Sequence, residues 1–243
     1  MNLEKSVLFL IILFFVGCKS EIATSEQIVE DVVKEQQTVN AEQIVSNNKL
    51  ETIKQYIPES YKILYDFDEN PHLVTGDFNG DKIKDFAITI TSCLEEDCNS
   101  LDNEMNIHVV IFEGDGSKFI EKTRSGNLSD FYSDHYHSLS IEKNVIILES
   151  GATRYMKSLK IRYEDKHDNY MLIGSDEMTS GNYEMMEGTA GTISTNYLTG
   201  IRLINYNKYD EEKGSIVLPE KKLKVSKNLK PLSEISNTNC NDL

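Results

Sequence analysis

From about Tyr61 onward, short apolar segments recur at the intervals typical of β-strands. In the clearest segment, Phe86, Ile88 and Ile90 alternate with Ala87, Thr89 and Thr91, which predicts a strand with one buried face. The next candidate is residues 106–112, and Asp115-Gly116 then marks a tight hairpin into residues 119–120. The further candidates are residues 145–148, 159–163, 170–173, 192–197, 201–206 and 216–218.

This spacing, roughly 8–15 residues without long helical patterns between the segments, is typical of antiparallel strands. It predicts an all-β fold, a single antiparallel meander or sandwich-like domain over residues 49–236, followed by a C-terminal tail, residues 237–243. Before the strands, Leu50, Ile53 and Tyr56 show helical spacing that Pro58 ends. Residues 18–48 are polar and acidic and predict a flexible, partly helical tether.

The first residues have a different character, because an apolar run over residues 7–16 leads directly into Gly17 and Cys18. The run is too short to span a bilayer as a helix, and its length suits the core of a signal peptide. A small residue before a cysteine at the end of such a core resembles the lipobox of bacterial lipoproteins. An uncleaved membrane helix and a secreted protein with an incidental Cys18 are the alternatives.

The lipobox resemblance implies that residues 1–17 are removed and that Cys18 carries lipid such as palmitate. It places the protein in the bacterial cell envelope, anchored to a membrane, most simply the outer membrane. The periplasmic and the surface side both stay open.

The net charge of −15 argues against a nucleic-acid partner, because phosphate binding needs a basic face. Removing residues 1–17 takes away one acid and one lysine, Glu4 and Lys5, so the mature chain keeps that charge. A protein or glycan ligand is compatible with this surface, and so is a basic protein partner.

Three cysteines remain after Cys18. Cys93 and Cys98 lie between two predicted strands, and an oxidising compartment permits a disulfide between them. Such a short ring stabilises the fold by roughly 2 kcal/mol in the chain-entropy model. Pairing of either cysteine with Cys240 is an alternative, and a zinc site is a weaker one because no second ligand pair follows.

The strongest chemical motif is residues 77–85, DFNGDKIKD. The oxygens of Asp77, Asn79, Asp81 and Asp85, together with the carbonyl of Ile83, recur at positions suited to one hard cation. Calcium takes 6–8 oxygen ligands, so these groups and water predict a calcium site. An EF-hand also needs an acid at position 12, where this chain has an isoleucine, so the motif is not an EF-hand.

The stretch GDFNGDKIKDFAI is similar to the calcium loop of FG-GAP and VCBS-type repeats. The resemblance implies a structural calcium ion and a β-strand immediately after the loop. Members often have glycine at the sixth position, where this chain has Lys82. Residues 66–70, DFDEN, lack the glycine and the closing aspartate, so the sequence predicts one such loop and no multi-bladed propeller.

A catalytic function would depend on His135 and His137. The two residues are separated by one position along a predicted strand, so their side chains share a face. This geometry can also bind zinc or copper. The sequence identifies no third ligand, and His108 and His167 have no visible reason to lie nearby. We therefore favour a lipid-anchored, calcium-stabilised binding domain without a catalytic residue. An envelope hydrolase using the two histidines and an acidic protein that protects against a basic toxin are the alternatives.

Overall fold

The computed structural model describes residues 50–92, 105–133, 136–180, 189–210 and 212–237. The signal peptide, the tether and nearly all of the predicted tail lie outside these residues. So do Cys18, Cys93, Cys98, His135 and Cys240, and the lipid and disulfide assignments therefore stay predictions.

Contacts divide the chain into two compact units, with the boundary between Lys54 and Gln55. Of the first unit only residues 50–54 are described, and they are helical. All the strands lie in the second unit, in this order: β1 (Lys62–Ile63), β2 (Leu73–Gly76), β3 (Asp85–Thr91), β4 (Ile107–Gly114), β5 (Phe119–Arg124), β6 (Tyr136–Glu142), β7 (Val145–Ala152), β8 (Tyr155–Glu164), β9 (Asn169–Thr179), β10 (Thr189–Asn196), β11 (Ile201–Asp210), β12 (Gly214–Val217), β13 (Lys221–Lys224) and β14 (Lys230–Pro231). A single turn of 3-10 helix, Leu232–Glu234, follows.

The strands form two antiparallel sheets. The small sheet has the order β1-β3-β4-β5, with β2 also paired to β3, and the large sheet runs from β12 through β11, β10, β9, β8 and β7 to β6. β13 also pairs with β11, and β14 with β9. Neighbouring strands in sequence pair almost throughout, which is the predicted meander, and Gly116 takes a left-handed φ of 87° in the predicted β4–β5 hairpin.

Apolar side chains from both sheets share one core, so the predicted all-β, sandwich-like architecture is confirmed. The small sheet contributes alternate residues of β4, and the large sheet contributes alternate residues of β7, β8 and β9. Full burial of one such aliphatic side chain is worth about 1.5–3 kcal/mol. The buried cluster is Phe78, Ala87, Ile107, Val109, Ile111, Leu128, Phe131, Tyr132, Ile146, Leu148, Leu159, Ile161, Tyr170, Leu172, Tyr197, Leu232 and Ile235.

Strand β3 differs from its prediction, because both of its faces are buried rather than one. Ala87 packs in the core between the sheets. On the opposite face, Phe86 stacks on Phe112 with ring centroids 4.5 Å apart, and Tyr56 lies 6.2 Å from Phe86. The small sheet therefore has an aromatic layer outside it, and every residue of β3 is buried.

Candidate metal-binding loop

The candidate loop joins β2 to β3, since Asp77 follows the last residue of β2 and Asp85 is the first residue of β3. Two of its residues have left-handed backbone: Gly80 with φ of 86° and Lys82 with φ of 71°. Lys82 thus stands at the sixth position with a backbone conformation that favours glycine. This conformation is energetically unfavourable for lysine, and non-glycine residues seldom adopt it. The loop therefore turns sharply at a residue other than glycine.

Side-chain oxygens in the loop accept hydrogen bonds from its own backbone. Asp77 accepts from the N–H of Gly80 through Oδ1 (2.7 Å) and from that of Lys82 through Oδ2 (3.0 Å). The bond from the N–H of Lys82 holds this left-handed residue in place. Asn79 Oδ1 accepts from the N–H of Asp81 at 3.0 Å.

Asp81 is exposed at the tip of the loop. Its Oδ1 accepts from the N–H of Ile83 at 2.7 Å, and its Oδ2 accepts from Asn79 Nδ2 at 3.2 Å. Ile83 stands at the seventh position, where the predicted site uses its carbonyl oxygen. The third and fifth side chains are thus joined directly, whereas Asp77 bonds to backbone N–H groups of the loop.

Asp85 lies in a different environment, because it is only 1% exposed. Its Oδ2 accepts from the backbone N–H of Phe78 at 2.8 Å, and its Oδ1 accepts from that of Gly114 at 3.1 Å. The carboxylate therefore ties the start of the loop to β3 and to the end of β4. Burial raises the pKa of Asp85 against the effect of these two bonds, and the nearby charges of Asp81 and Glu113 raise it further.

The donor set suits a hard cation, since the side chains at positions 1, 3, 5 and 9 all offer oxygen. Within the described residues, however, no group of three or more His, Cys, Asp or Glu side chains lies at metal-binding separation. Asp81 contacts Asn79 and Asp77 bonds to the loop backbone, whereas Asp85 points into the protein. Its interaction with Asp81 places two negative charges close enough to raise a pKa, which a cation would relieve.

The histidines do not gather as a catalytic group in the part of the chain that is described. His137, in β6, is bonded to His72, with 3.0 Å between His137 Nδ1 and His72 Nε2. His108 Nδ1 lies 3.0 Å from the carbonyl oxygen of Ser125, and His167 is exposed in the turn between β8 and β9. Sequence reasoning did not identify His72, because it lies 65 residues before its partner and no spacing rule joins them.

Among the described residues, no helical segment has the length and apolarity needed to cross a membrane. No protein-family model, curated protein or solved structure matches the chain. The loop is therefore the feature from which we argue a function.

Proposed function

We propose that the protein is a lipid-anchored component of the bacterial cell envelope, with a calcium-stabilised β-domain that acts by binding rather than by catalysis. Cys18 supplies the membrane anchor, and Asp77, Asn79, Asp81, Asp85 and the carbonyl of Ile83 supply the calcium ligands. A protein or glycan is the class of ligand that suits the domain.

The observation that carries the calcium proposal is the backbone of the loop. Lys82 adopts the left-handed conformation at the sixth position, and Asp77 accepts its N–H. That conformation costs a non-glycine residue roughly 1 kcal/mol or more, and binding of a cation by the loop oxygens would offset this cost. Calcium modules outside the cell typically bind at about 10⁻⁴–10⁻³ M, concentrations that an envelope protein encounters.

The role of calcium in this proposal is structural. The ion neutralises Asp77 and Asp81 and offsets the repulsion between Asp81 and Asp85, whose pKa is raised mainly by burial and partly by Asp81. Since Asp85 is hydrogen-bonded to Phe78, order in the loop is transmitted to a buried aromatic side chain. A binding role is preferred to hydrolysis because His137 Nδ1 is already engaged by His72.

Thermal unfolding of the full chain tests the calcium proposal. For a dissociation constant in the range above, a few millimolar calcium adds about 1–2 kcal/mol of stability. The melting temperature should then rise by about 2–6 °C relative to chelator. Asp81→Ala should abolish the rise and Asp68→Ala, an exposed aspartate outside the loop, should retain it. Identical melting in calcium and chelator would eliminate the calcium role.

Metabolic labelling tests the anchor separately. The full chain, expressed in bacteria fed labelled palmitate, should incorporate the label and sediment with membranes. Cys18→Ser should lose both properties, and Cys240→Ser should keep them. Label that persists in Cys18→Ser, or a wild-type chain that takes up none, would refute lipidation at this residue.

A further inference from the structure

A pair of histidines joins the two sheets at a distance from the candidate loop. His72 precedes β2 and is 2% exposed. Its N–H donates to the carbonyl of Leu64, which follows β1, and its C=O accepts from the N–H of Thr89 in β3. His137 is half-buried in β6, the edge strand of the large sheet. The 3.0 Å contact between their ring nitrogens therefore crosses from one sheet to the other.

Hydrogen-bond satisfaction assigns the proton between the two rings. His72 Nδ1 is buried and has no hydrogen-bond partner among the described residues. A bare acceptor nitrogen tolerates this position better than an N–H, so the proton of His72 belongs on Nε2. His72 then donates to Nδ1 of His137, and both imidazoles are neutral.

The same assignment argues against a metal at this pair. A metal bound to His72 Nε2 would move the ring proton to Nδ1, where the buried N–H would have no acceptor. Histidine ligands almost always donate that second N–H to a partner. The geometry fits a neutral hydrogen-bonded pair better than two metal ligands.

Among the described residues, few groups favour a positive charge on either ring: burial lowers the pKa of both imidazoles and outweighs the backbone of His137 and the carboxylate of Asp66, which raise it. Tyr132 packs against both rings, with centroids 5.9 Å from His72 and 5.8 Å from His137. On β7 the neighbour of His137 is Ser150, whose Oγ is buried without a partner in the described structure, and Lys157 of β8 follows on the same face. Asp66 is the carboxylate that acts on both imidazoles, and its oxygens already accept from Asp68 and Asn70.

We propose that His72 and His137 form a proton-sensitive clasp that holds the β1–β2 segment against β6 and opens on acidification. A proton added to His137 Nδ1 removes the acceptor and sets two N–H groups against each other. A proton added to His72 Nδ1 places a charge in a buried site where the described residues offer it no acceptor. Either event weakens the contact between the sheets, independently of calcium and of the lipid anchor.

The direction of the pH effect follows from the pKa values. Burial lowers the pKa of His72 to about 4, with a further lowering from His137, and burial also lowers the pKa of His137. The open form, with ordinary histidine pKa values, binds more protons than the closed form. The closed form is therefore fully favoured above about pH 6.5 and loses its advantage as the pH falls toward 4.

Amide exchange measured by NMR on the full chain tests the clasp. The amides of His72 and Thr89, which bond to Leu64 and His72, report its opening. Their protection factors, each referred to an unstructured peptide at the same pH, should fall roughly ten-fold or more from pH 7 to pH 5. His167→Gln, which removes an exposed histidine, should behave like the wild type.

The double variant His72→Gln/His137→Asn replaces the pair with a non-titrating amide hydrogen bond and should show no such fall. The same fall in the double variant would assign the pH effect to other groups and overturn the proposal. If the double variant does not fold, ring ¹⁵N shifts of the wild type decide. Both rings should be neutral at pH 6 and titrate together with the amide protection. If the two rings titrate near pH 6.5 without loss of amide protection, the clasp is overturned. It is also overturned if one equivalent of Zn²⁺ binds both rings at pH 7.

Discussion

Two acidic turns flank β2, and both begin with the dipeptide Asp-Phe, yet they place the phenylalanine in opposite environments. In the turn before β2, residues 66–70, Phe67 is 91% exposed. In the loop after β2, residues 77–85, Phe78 is 3% exposed and belongs to the shared core. The same local sequence thus makes a surface turn in one place and a core-anchored loop in the other.

The local geometry of the two turns is of one kind. The first aspartate closes each turn, since Asp66 accepts from the N–H of Asn70 at 2.8 Å and Asp77 accepts from that of Lys82 at 3.0 Å. Each also contains a non-glycine residue in left-handed conformation, Glu69 with φ of 60° and Lys82 with φ of 71°. Turn formation by the leading aspartate therefore does not explain the difference.

The difference lies in Asp85, for which residues 66–70 offer no counterpart. Its buried carboxylate accepts the N–H of Phe78 and couples the loop to β3 and β4. This acidic turn becomes part of the core because a second carboxylate, seven residues after Phe78, holds its backbone inside the protein. Changes in residues 77–85 should consequently affect the whole domain, whereas changes in residues 66–70 should stay local.

The largest contrast is expected between the two phenylalanines. Phe78→Ala should lower the free energy of unfolding by about 3–5 kcal/mol, because it leaves a cavity in the core. Phe67→Ala should change it by no more than about 0.5 kcal/mol. Urea unfolding of the two variants measures both values, and equal losses would contradict the comparison.

The next contrast is between the two carboxylates. Asp85→Ala leaves the N–H groups of Phe78 and Gly114 without their acceptor and should cost about 2 kcal/mol, net of the relief from removing a buried charge. Asp66→Ala should cost less than about 1 kcal/mol, because water can reach the exposed N–H groups that it frees. If urea unfolding gives the same loss of unfolding free energy for both variants, Asp85 has no special role.

The cost of Asp85→Ala should also depend on pH. The pKa of Asp85 is raised in the folded state, mainly by burial, so the folded chain binds more protons there than the unfolded chain. This carboxyl therefore contributes stability at low pH that is lost as the pH rises. The difference in unfolding free energy between wild type and Asp85→Ala should be larger at pH 4, near the ordinary pKa of an aspartate, than at pH 7, and a smaller difference would contradict the assigned sign.

The sequence predicted the all-β fold because the alternation of apolar residues survives in most strands, but it underestimated strand lengths. The strand predicted over residues 170–173 continues as β9 to Thr179. Gly174, Ser175 and Asp176 have low strand propensity, and only their pairing with β8 and β10 keeps them extended. Likewise, the alternation in β3 could not show that an aromatic layer covers its second face.

The sequence placed the loop directly before a strand but did not predict the direction of Asp85. That direction depends on Gly114, 29 residues away, whose N–H the carboxylate accepts. The bond between His72 and His137 is a similar case, because it exists only once two sheets have packed. Spacing rules describe one strand or one turn and carry no information on contacts of this kind.

The smallest contrast concerns the two left-handed residues. Lys82→Gly should stabilise the loop by up to about 1 kcal/mol, since glycine adopts this backbone without strain. Glu69→Gly should give a similar gain in chelator. In calcium, Lys82→Gly should gain additional stability because it binds the ion more tightly, and Glu69→Gly should not. Thermal unfolding in both solutions separates the two effects, and an equal calcium response would place the ion elsewhere.

Calorimetric titration of the chelator-treated full chain with calcium tests the central claim most directly. We predict one calcium ion per chain, bound at about 10⁻⁴–10⁻³ M. Asp81→Ala should abolish this binding and Asp68→Ala should leave it unchanged. Absence of binding heat in the wild type, or the same isotherm in Asp81→Ala, would contradict the account.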